Sequence, residues 1–130
     1  MKKILFFTPA AFYYVFIFYL SSRSYKIKID ILFFDKGIHL VEFAFLGFLL
    51  SFGYFMSLKS SLRIKAVFTF SSGILLGSLD EIHQYFVPRR TSEILDVIAD
   101  AIGILIGLFV YFYISRTVKA KILAEKLSKL

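Results

Sequence analysis

The residues of this chain that are best suited to acid–base or ligand chemistry are its two histidines and a set of carboxylates beside apolar segments. They form three groups: Asp35, His39 and Glu42; Asp80, Glu81 and His83; and Asp96 with Asp100. Charge beside bilayer-spanning sequence is costly, so such groups usually pair, face a protein interior or wet cavity, and mark function. Imidazole titrates nearest neutral pH, which suits proton transfer beside carboxylates.

The elements that position these groups are predicted to be membrane helices. The chain has 130 residues and is 58% hydrophobic and 19% aromatic, above the roughly 45–50% apolar content of soluble domains. Apolar runs cover residues 4–20, 37–58, 66–86 and 97–115. Helices satisfy their own backbone hydrogen bonds in hydrocarbon. We therefore predict one all-α domain over residues 1–130, a polytopic four-transmembrane-helix bundle.

Three further segments have distinct patterns. The first apolar run lacks a small-x-small cleavage site, so we expect it to be retained rather than removed as a signal peptide. Residues 25–31 alternate apolar and polar, which predicts a strand or an interfacial segment at the outer surface. Residues 117–130 carry an apolar side among lysines, which predicts a C-terminal amphipathic, interfacial helix on the cytoplasmic face.

The distribution of basic residues predicts the orientation. With both termini inside, ten of the 16 lysines and arginines lie on the cytoplasmic side and six outside, as the positive-inside rule favours. We therefore expect a multi-pass protein of a bacterial-type cytoplasmic membrane, with its N and C termini inside. No soluble basic face remains for nucleic acid, and the absence of cysteine excludes disulfides and thiol catalysis.

Helical periodicity places the ionisable groups on stripes that end in glycine. On the third predicted helix, Asp80, Glu81 and Gln84 follow Gly73-x-x-x-Gly77, and on the fourth, Asp96 and Asp100 precede Gly103-x-x-x-Gly107. Small residues at this spacing let helix backbones approach closely. We expect helices three and four to cross at mid-membrane and to open outwards into a polar pocket. The same glycine stripes also suit contacts between two copies of the chain, so the oligomeric state stays open.

The loop after the third helix adds two guanidinium groups, Arg89 and Arg90, beside the acids. Arginine binds carboxylates or phosphates bidentately, so either charge balance or ligand binding explains them. Asp35 and Asp96 at helix starts are also interpretable as caps. Capping does not explain Asp100 or Glu81, which lie further inside their helices.

Three segments carry a family resemblance. Residues 35–47 contain D-K-x-x-H-x-x-x-F-x-x-L-G, residues 81–90 contain E-x-x-Q-x-F-x-P-x-R, and residues 96–103 contain D-x-x-A-D-x-x-G. Together, in this order, they resemble the signatures of the VanZ-like family of membrane proteins. Ser21-Ser22 matches a further common feature of that family.

The resemblance implies a polar set of residues and an outward-facing role. The polar set is Asp35, Lys36, His39, Glu81, Gln84, Arg90 and Asp96. Asp100 departs from the pattern, which usually has asparagine there, and adds like-charge repulsion that favours a shared proton, cation or arginine. The family is associated with reduced susceptibility to teicoplanin-type glycopeptide antibiotics, and no reaction follows from membership.

Three functions therefore stay open. In the first, the pocket binds a lipid head group, a lipid-linked cell-wall precursor, a glycopeptide or another envelope component through ligand-binding groups, which are Lys36, Glu42, Asp80, Gln84, Arg89, Arg90, Asp96 and Asp100. In the second, the chain is a membrane-embedded enzyme with three catalytic groups, which are His39 as general base, Asp35 to orient its ring and Glu81 as a second acid–base group. In the third, the polar network only holds helix ends together.

We expect no required cofactor, and a divalent metal stays an open alternative. His39, Glu42, Glu81, His83 and Asp96 are residue types that bind divalent metals, but their spacing is not diagnostic of a metal site.

The predicted orientation is tested by cysteine labelling, because the chain has no cysteine of its own. We expect a membrane-impermeant maleimide to label Arg89→Cys and not Ser60→Cys on intact cells. Labelling of Ser60→Cys alone would invert the bundle and remove the outward-facing role.

Overall fold

The computed structural model describes residues 3–23 and 34–129. A 3₁₀ turn at Ile4–Phe7 leads into helix α1. The four helices are α1 (Thr8–Ser21), α2 (Phe34–Ser57), α3 (Leu62–Tyr85) and α4 (Ile94–Ser128). All described elements are helices, which confirms the predicted all-α fold. The alternating segment at residues 25–31 lies outside the described residues.

The helices have the length and surface of membrane spans. Ile4–Ser21, α2, α3 and α4 are each long and apolar enough to cross a bilayer. A helix of 24 residues, such as α2, is about 36 Å long, whereas the hydrocarbon core is about 30 Å thick. Large apolar side chains, among them Phe12 and Phe109, are exposed on the outside of the bundle. These properties identify a multi-pass membrane protein.

Local sequence signals explain where α3 begins and ends. Ser61 precedes the helix in an extended conformation, and its Oγ accepts a hydrogen bond from the Ile64 amide. This satisfies one of the amides that every helix start leaves unpaired. The helix ends at Tyr85, three residues before Pro88, where the chain turns towards α4.

Helix α4 joins two predicted elements into one. Its 35 residues span about 52 Å, because residues 108–128 contain neither glycine nor proline to interrupt it. The fourth predicted span at 97–115 therefore continues without a break into the predicted C-terminal helix, as far as Ser128. The part after residue 115 extends the helix beyond the length that a bilayer requires. Its contact with the cytoplasmic lipid surface stays a prediction.

The closest helix packing joins α2 to α4 rather than α3 to α4, which corrects the predicted crossing. A Cβ at Gly103 or Gly107 would overlap the α2 backbone at Leu40 and Ala44. Gly47 of α2 lies in the same way against the α4 backbone. The α3 glycines instead leave room for α4 side chains. The G-x-x-x-G spacing is the same in both helices, so it does not show whether a glycine meets the backbone or a side chain of its neighbour. All of these glycines pack inside one chain.

The apolar core lies along this α2–α4 contact. Phe43, Leu46 and Ile104 are fully buried, and Ile104 fills the space that Gly73 leaves on α3. Helix α1 is attached through a hydrogen bond from Tyr14 Oη to the Leu76 carbonyl, 2.9 Å away. The bundle therefore holds four helices around one core, with α2 and α4 as its tightest pair.

Gly107→Ala tests this packing, with Gly37→Ala as its matched control. The added methyl group at position 107 meets α2 backbone, which cannot move as a flexible side chain does, and overpacking of this kind costs about 1–3 kcal/mol. At Gly37 nothing lies within 4 Å of the new Cβ, so the better helix propensity of alanine leaves stability unchanged or raised by up to about 1 kcal/mol. Detergent unfolding measures both variants. Equal stability of the two would contradict the close α2–α4 contact.

Candidate functional site

The start of α2, the end of α3 and the start of α4 meet at one end of the bundle. There, four buried side chains from three helices form a group that we call the acidic cluster: His39, Glu81, Asp96 and Asp100. Successive antiparallel helices bring these ends together, so members of all three sequence groups meet there. The exposed fractions are 7% for His39, 3% for Glu81, 4% for Asp96 and 0% for Asp100.

His39 is the centre of the acidic cluster. Its Nδ1 lies 3.0 Å from Asp100 Oδ1, at hydrogen-bond distance, and 3.8 Å from Glu81 Oε1. The ring is thus oriented by Asp100 of α4. The prediction assigned this task to Asp35, one turn earlier on the same helix, which is wrong in this respect. Asp35 is exposed and lies towards the cavity described below.

Glu81 joins the end of α3 to the start of α4. Its Oε2 accepts hydrogen bonds from Ser92 Oγ at 3.1 Å and from the Glu93 amide at 3.2 Å. Glu93 is the N-cap residue of α4 and its own side chain makes no capping bond. A carboxylate from another helix therefore satisfies an amide at this helix start, where negative charge is favoured.

Lys36 balances charge at the rim of the acidic cluster. Its Nζ lies 2.8 Å from Glu93 Oε2 and 3.4 Å from Asp96 Oδ1. Asp96 lies in the first turn of α4, but its carboxylate faces Lys36 rather than capping the helix. Lys36 was predicted to bind ligand, and the structure places it in an ion pair between α2 and α4.

Asp80 ties α1 to α3. It accepts hydrogen bonds from Ser21 Oγ at 2.6 Å and from Gln84 Nε2 at 2.8 Å, so both of its buried oxygens have a donor. Arg90 Nε donates to the Ser21 carbonyl at 3.3 Å, which attaches the α3–α4 loop to the same point. Asp80 was predicted to bind ligand, and in the structure its carboxylate instead connects α1 to α3.

His83 lies apart from the acidic cluster. Its ring stacks on Phe18 with the ring centroids 3.9 Å apart, and its Nε2 lies 2.8 Å from Ser22 Oγ. It therefore packs against α1.

A cavity of about 100 Å³ lies beside the acidic cluster, between the end of α1, the start of α2, the end of α3 and the α3–α4 loop. Its polar lining consists of Ser21, Asp35, His39, Glu42, Gln84 and Arg90. Leu20 and Ile38 complete the lining. His39 alone belongs to both the cavity and the acidic cluster, so it connects the two.

The predicted site residues therefore separate into two sets. Asp35, His39, Glu42, Gln84 and Arg90 line the cavity. The other residues predicted to bind ligand do not line the cavity; they are Lys36, Asp80, Arg89, Asp96 and Asp100. Among these, Arg89 is exposed and has a φ of 66°, a left-handed conformation that is uncommon outside glycine. Arg89 shapes the turn, and Arg90 is the arginine that reaches the cavity.

Three buried carboxylate oxygens accept no hydrogen bond from any residue that the structure describes: Glu81 Oε1, Asp96 Oδ1 and Asp100 Oδ2. Asp96 Oδ1 is still within ion-pair distance of Lys36. Burying a charged oxygen without a donor is costly. Each of these three carboxyl groups thus has one buried oxygen without a hydrogen-bond donor among the described residues.

Sequence reasoning did not assign roles to Ser21, Ser92 and Glu93, although Ser21 belonged to the family feature. Ser21 follows an apolar helix and Glu93 precedes one, so their polarity at helix ends was a usable signal. Their partners are 11 to 59 residues away, and one sequence contains no measure of such pairing.

The fold and site define a class: a multi-pass helical membrane protein with a buried His–carboxylate cluster at one end of its bundle. The family described as VanZ/LLP1 matches residues 1–116, and the chain belongs to this family. No curated protein matches the chain, and no solved structure matches it.

Proposed function

We propose that this chain binds the head group of a membrane lipid in the cavity beside His39. The observation that carries the proposal is the cavity itself, which is lined by charged groups of both signs at the end of membrane-spanning helices. Head groups lie at this depth, where hydrocarbon gives way to water. Leu20 and Ile38 at the same cavity supply apolar surface next to the polar lining.

The charges of the lining favour a zwitterionic head group. Arg90 supplies a guanidinium group, which suits a phosphate. Asp35 and Glu42 supply two carboxylates, which suit a primary ammonium group. Phosphatidylethanolamine carries both a phosphate and an ammonium group, whereas phosphatidylglycerol carries only the negative charge. We therefore assign the cavity to an amine-bearing phospholipid.

The size of the cavity argues against a whole antibiotic as its occupant. Pockets that enclose drug-sized molecules have volumes of roughly 300–1,000 Å³, and this cavity has about 100 Å³. It accommodates a head-group fragment and not a glycopeptide. Reduced susceptibility to teicoplanin-type antibiotics, which the family resemblance implies, would then arise indirectly. With the predicted orientation, lipid binding at the outer leaflet would alter the surface that the antibiotic or a cell-wall precursor meets.

Acid–base catalysis on such a lipid is a second candidate, because His39 borders the cavity while Asp100 holds its Nδ1. A neutral imidazole that donates its Nδ1 proton to a carboxylate carries its lone pair on Nε2. This arrangement is that of a general base. The two candidates share their residues, and they differ in whether the bound lipid is converted.

Lipid titration of the purified protein tests the proposal. We expect native mass spectrometry to show tighter binding of phosphatidylethanolamine than of phosphatidylglycerol. Arg90→Gln should weaken both by about tenfold, because hydrogen bonds to charged groups contribute about 1.5–3 kcal/mol. Glu42→Gln should reduce the preference for the amine, a change in selectivity that misfolding does not produce.

Arg89→Gln is the matched control, since it removes the same charge one residue away without changing the lining of the cavity. Its affinities should stay within about twofold of the wild type. Equal binding of both lipids by the wild type, unchanged in Arg90→Gln, would contradict the proposal. A new product mass that disappears in His39→Asn would identify the enzyme.

A further inference from the structure

The acidic cluster contains a set of atoms whose arrangement is that of a metal site. One nitrogen of His39, one oxygen of Glu81 and one oxygen of Asp96 all lie within 4.8 Å of one another. The three residues come from α2, α3 and α4, and all three are buried. These three closely spaced atoms therefore connect three helices at one point.

Acidic side chains often lie together without a metal, so the bonding of each oxygen decides whether one is expected. Glu81 uses Oε2 for Ser92 and Glu93, while its Oε1 is directed towards His39, 3.8 Å from Nδ1. Neither Glu81 Oε1 nor Asp96 Oδ1 receives a hydrogen bond from residues 3–23 or 34–129. Glu81, which is more than nine-tenths buried, therefore directs an oxygen without a donor towards His39, and Asp96 Oδ1 has only the 3.4 Å ion pair with Lys36.

The charge around these atoms also calls for a cation. Glu81, Asp96 and Asp100 bring three carboxylates to one imidazole. Lys36, the ammonium group within ion-pair distance of the cluster among the described residues, is closer to Glu93 at 2.8 Å than to Asp96 at 3.4 Å. A cation between the carboxylates would offset the cost of burying them.

We propose that His39, Glu81 and Asp96 form a binding site for a divalent transition-metal ion of the Zn²⁺ type. Mixed imidazole and carboxylate ligands suit Zn²⁺, whereas Mg²⁺ and Ca²⁺ favour sites made of oxygen alone. Three protein ligands leave one tetrahedral position open, and the cavity that His39 also lines is the adjacent space.

The required movement is small. Ligand atoms about 2.1 Å from one zinc ion lie roughly 3.4 Å apart in a tetrahedral site. His39 Nδ1 and Glu81 Oε1 are 3.8 Å apart, and all three ligand atoms lie within 4.8 Å of one another. Asp100 lies 3.0 Å from the same Nδ1, so a metal bound through Nδ1 takes the place of this hydrogen bond.

The site goes beyond lipid binding and is tested with metal alone, so its failure leaves the lipid titration unaffected. The probe is Zn²⁺, added to metal-stripped full-length protein in detergent without phospholipid. We expect one ion per chain with a micromolar or lower Kd, and no displacement by millimolar Mg²⁺. Glu81→Gln and Asp96→Asn should each weaken binding at least tenfold, because each variant removes one charged ligand.

Two further variants keep the test specific. Glu125→Gln removes an exposed acid on the distant part of α4, and its Zn²⁺ affinity should equal that of the wild type. Lys36→Gln removes the ammonium group 3.4 Å from Asp96 and should tighten binding at least threefold, a gain that a damaged fold cannot produce. Fewer than about 0.2 ions per chain, or equal binding by the wild type and Glu81→Gln, would overturn the proposal.

Discussion

Burial of charge at one end of the bundle is the constraint on which the rest of this structure depends. Carboxylates inside a membrane protein are tolerated only when donors, cations or protons compensate them. Here Glu81 takes its donors from the start of α4, Asp100 is paired with His39, and Asp80 takes its donors from α1 and its own helix. Each compensation joins two segments, so the polar groups determine how the helix ends assemble.

The glycines of α4 make the central pair of this assembly possible. Gly103 lies against the backbone at Leu40, the residue after His39, and Asp100 is three residues before Gly103. Close backbone approach at this point sets the distance between the histidine and the aspartate. Because the packing and the polar pair lie within one helical turn of each other, a loss of either one displaces the other.

The same arrangement separates two chemical environments around one histidine. Towards the cavity, His39 is accompanied by Glu42, Gln84 and Arg90, which suit a polar ligand. Towards the bundle interior it faces Glu81 and Asp100, which suit a proton or a metal ion. An event on either side of the ring therefore changes its charge or position on the other side. This link is the physical reason to treat the cavity and the acidic cluster as one functional unit.

Much of the fold was predictable from the sequence because membrane spans are long and apolar. The buried stripes of α3 and α4, such as Gly77 with Asp80 and Gly103 with Asp100, also followed from a period of 3.6 residues. Partner choice was not predictable in this way. Periodicity gives the face of a helix and not the neighbour of that face, so Gly103 was assigned to α3 and the ring of His39 to Asp35. The role of Glu93 was missed for the same reason, since its partner Lys36 lies on another helix.

The most direct test of this account is a double-mutant cycle between His39→Ala and Asp100→Ala, measured by detergent unfolding. If the pair holds the acidic cluster together, the two losses in unfolding free energy are not additive. The coupling is then at least about 1 kcal/mol, as for residues that share a buried charged hydrogen bond. Losses that add to within about 0.5 kcal/mol would show that the two side chains act independently and would contradict the account.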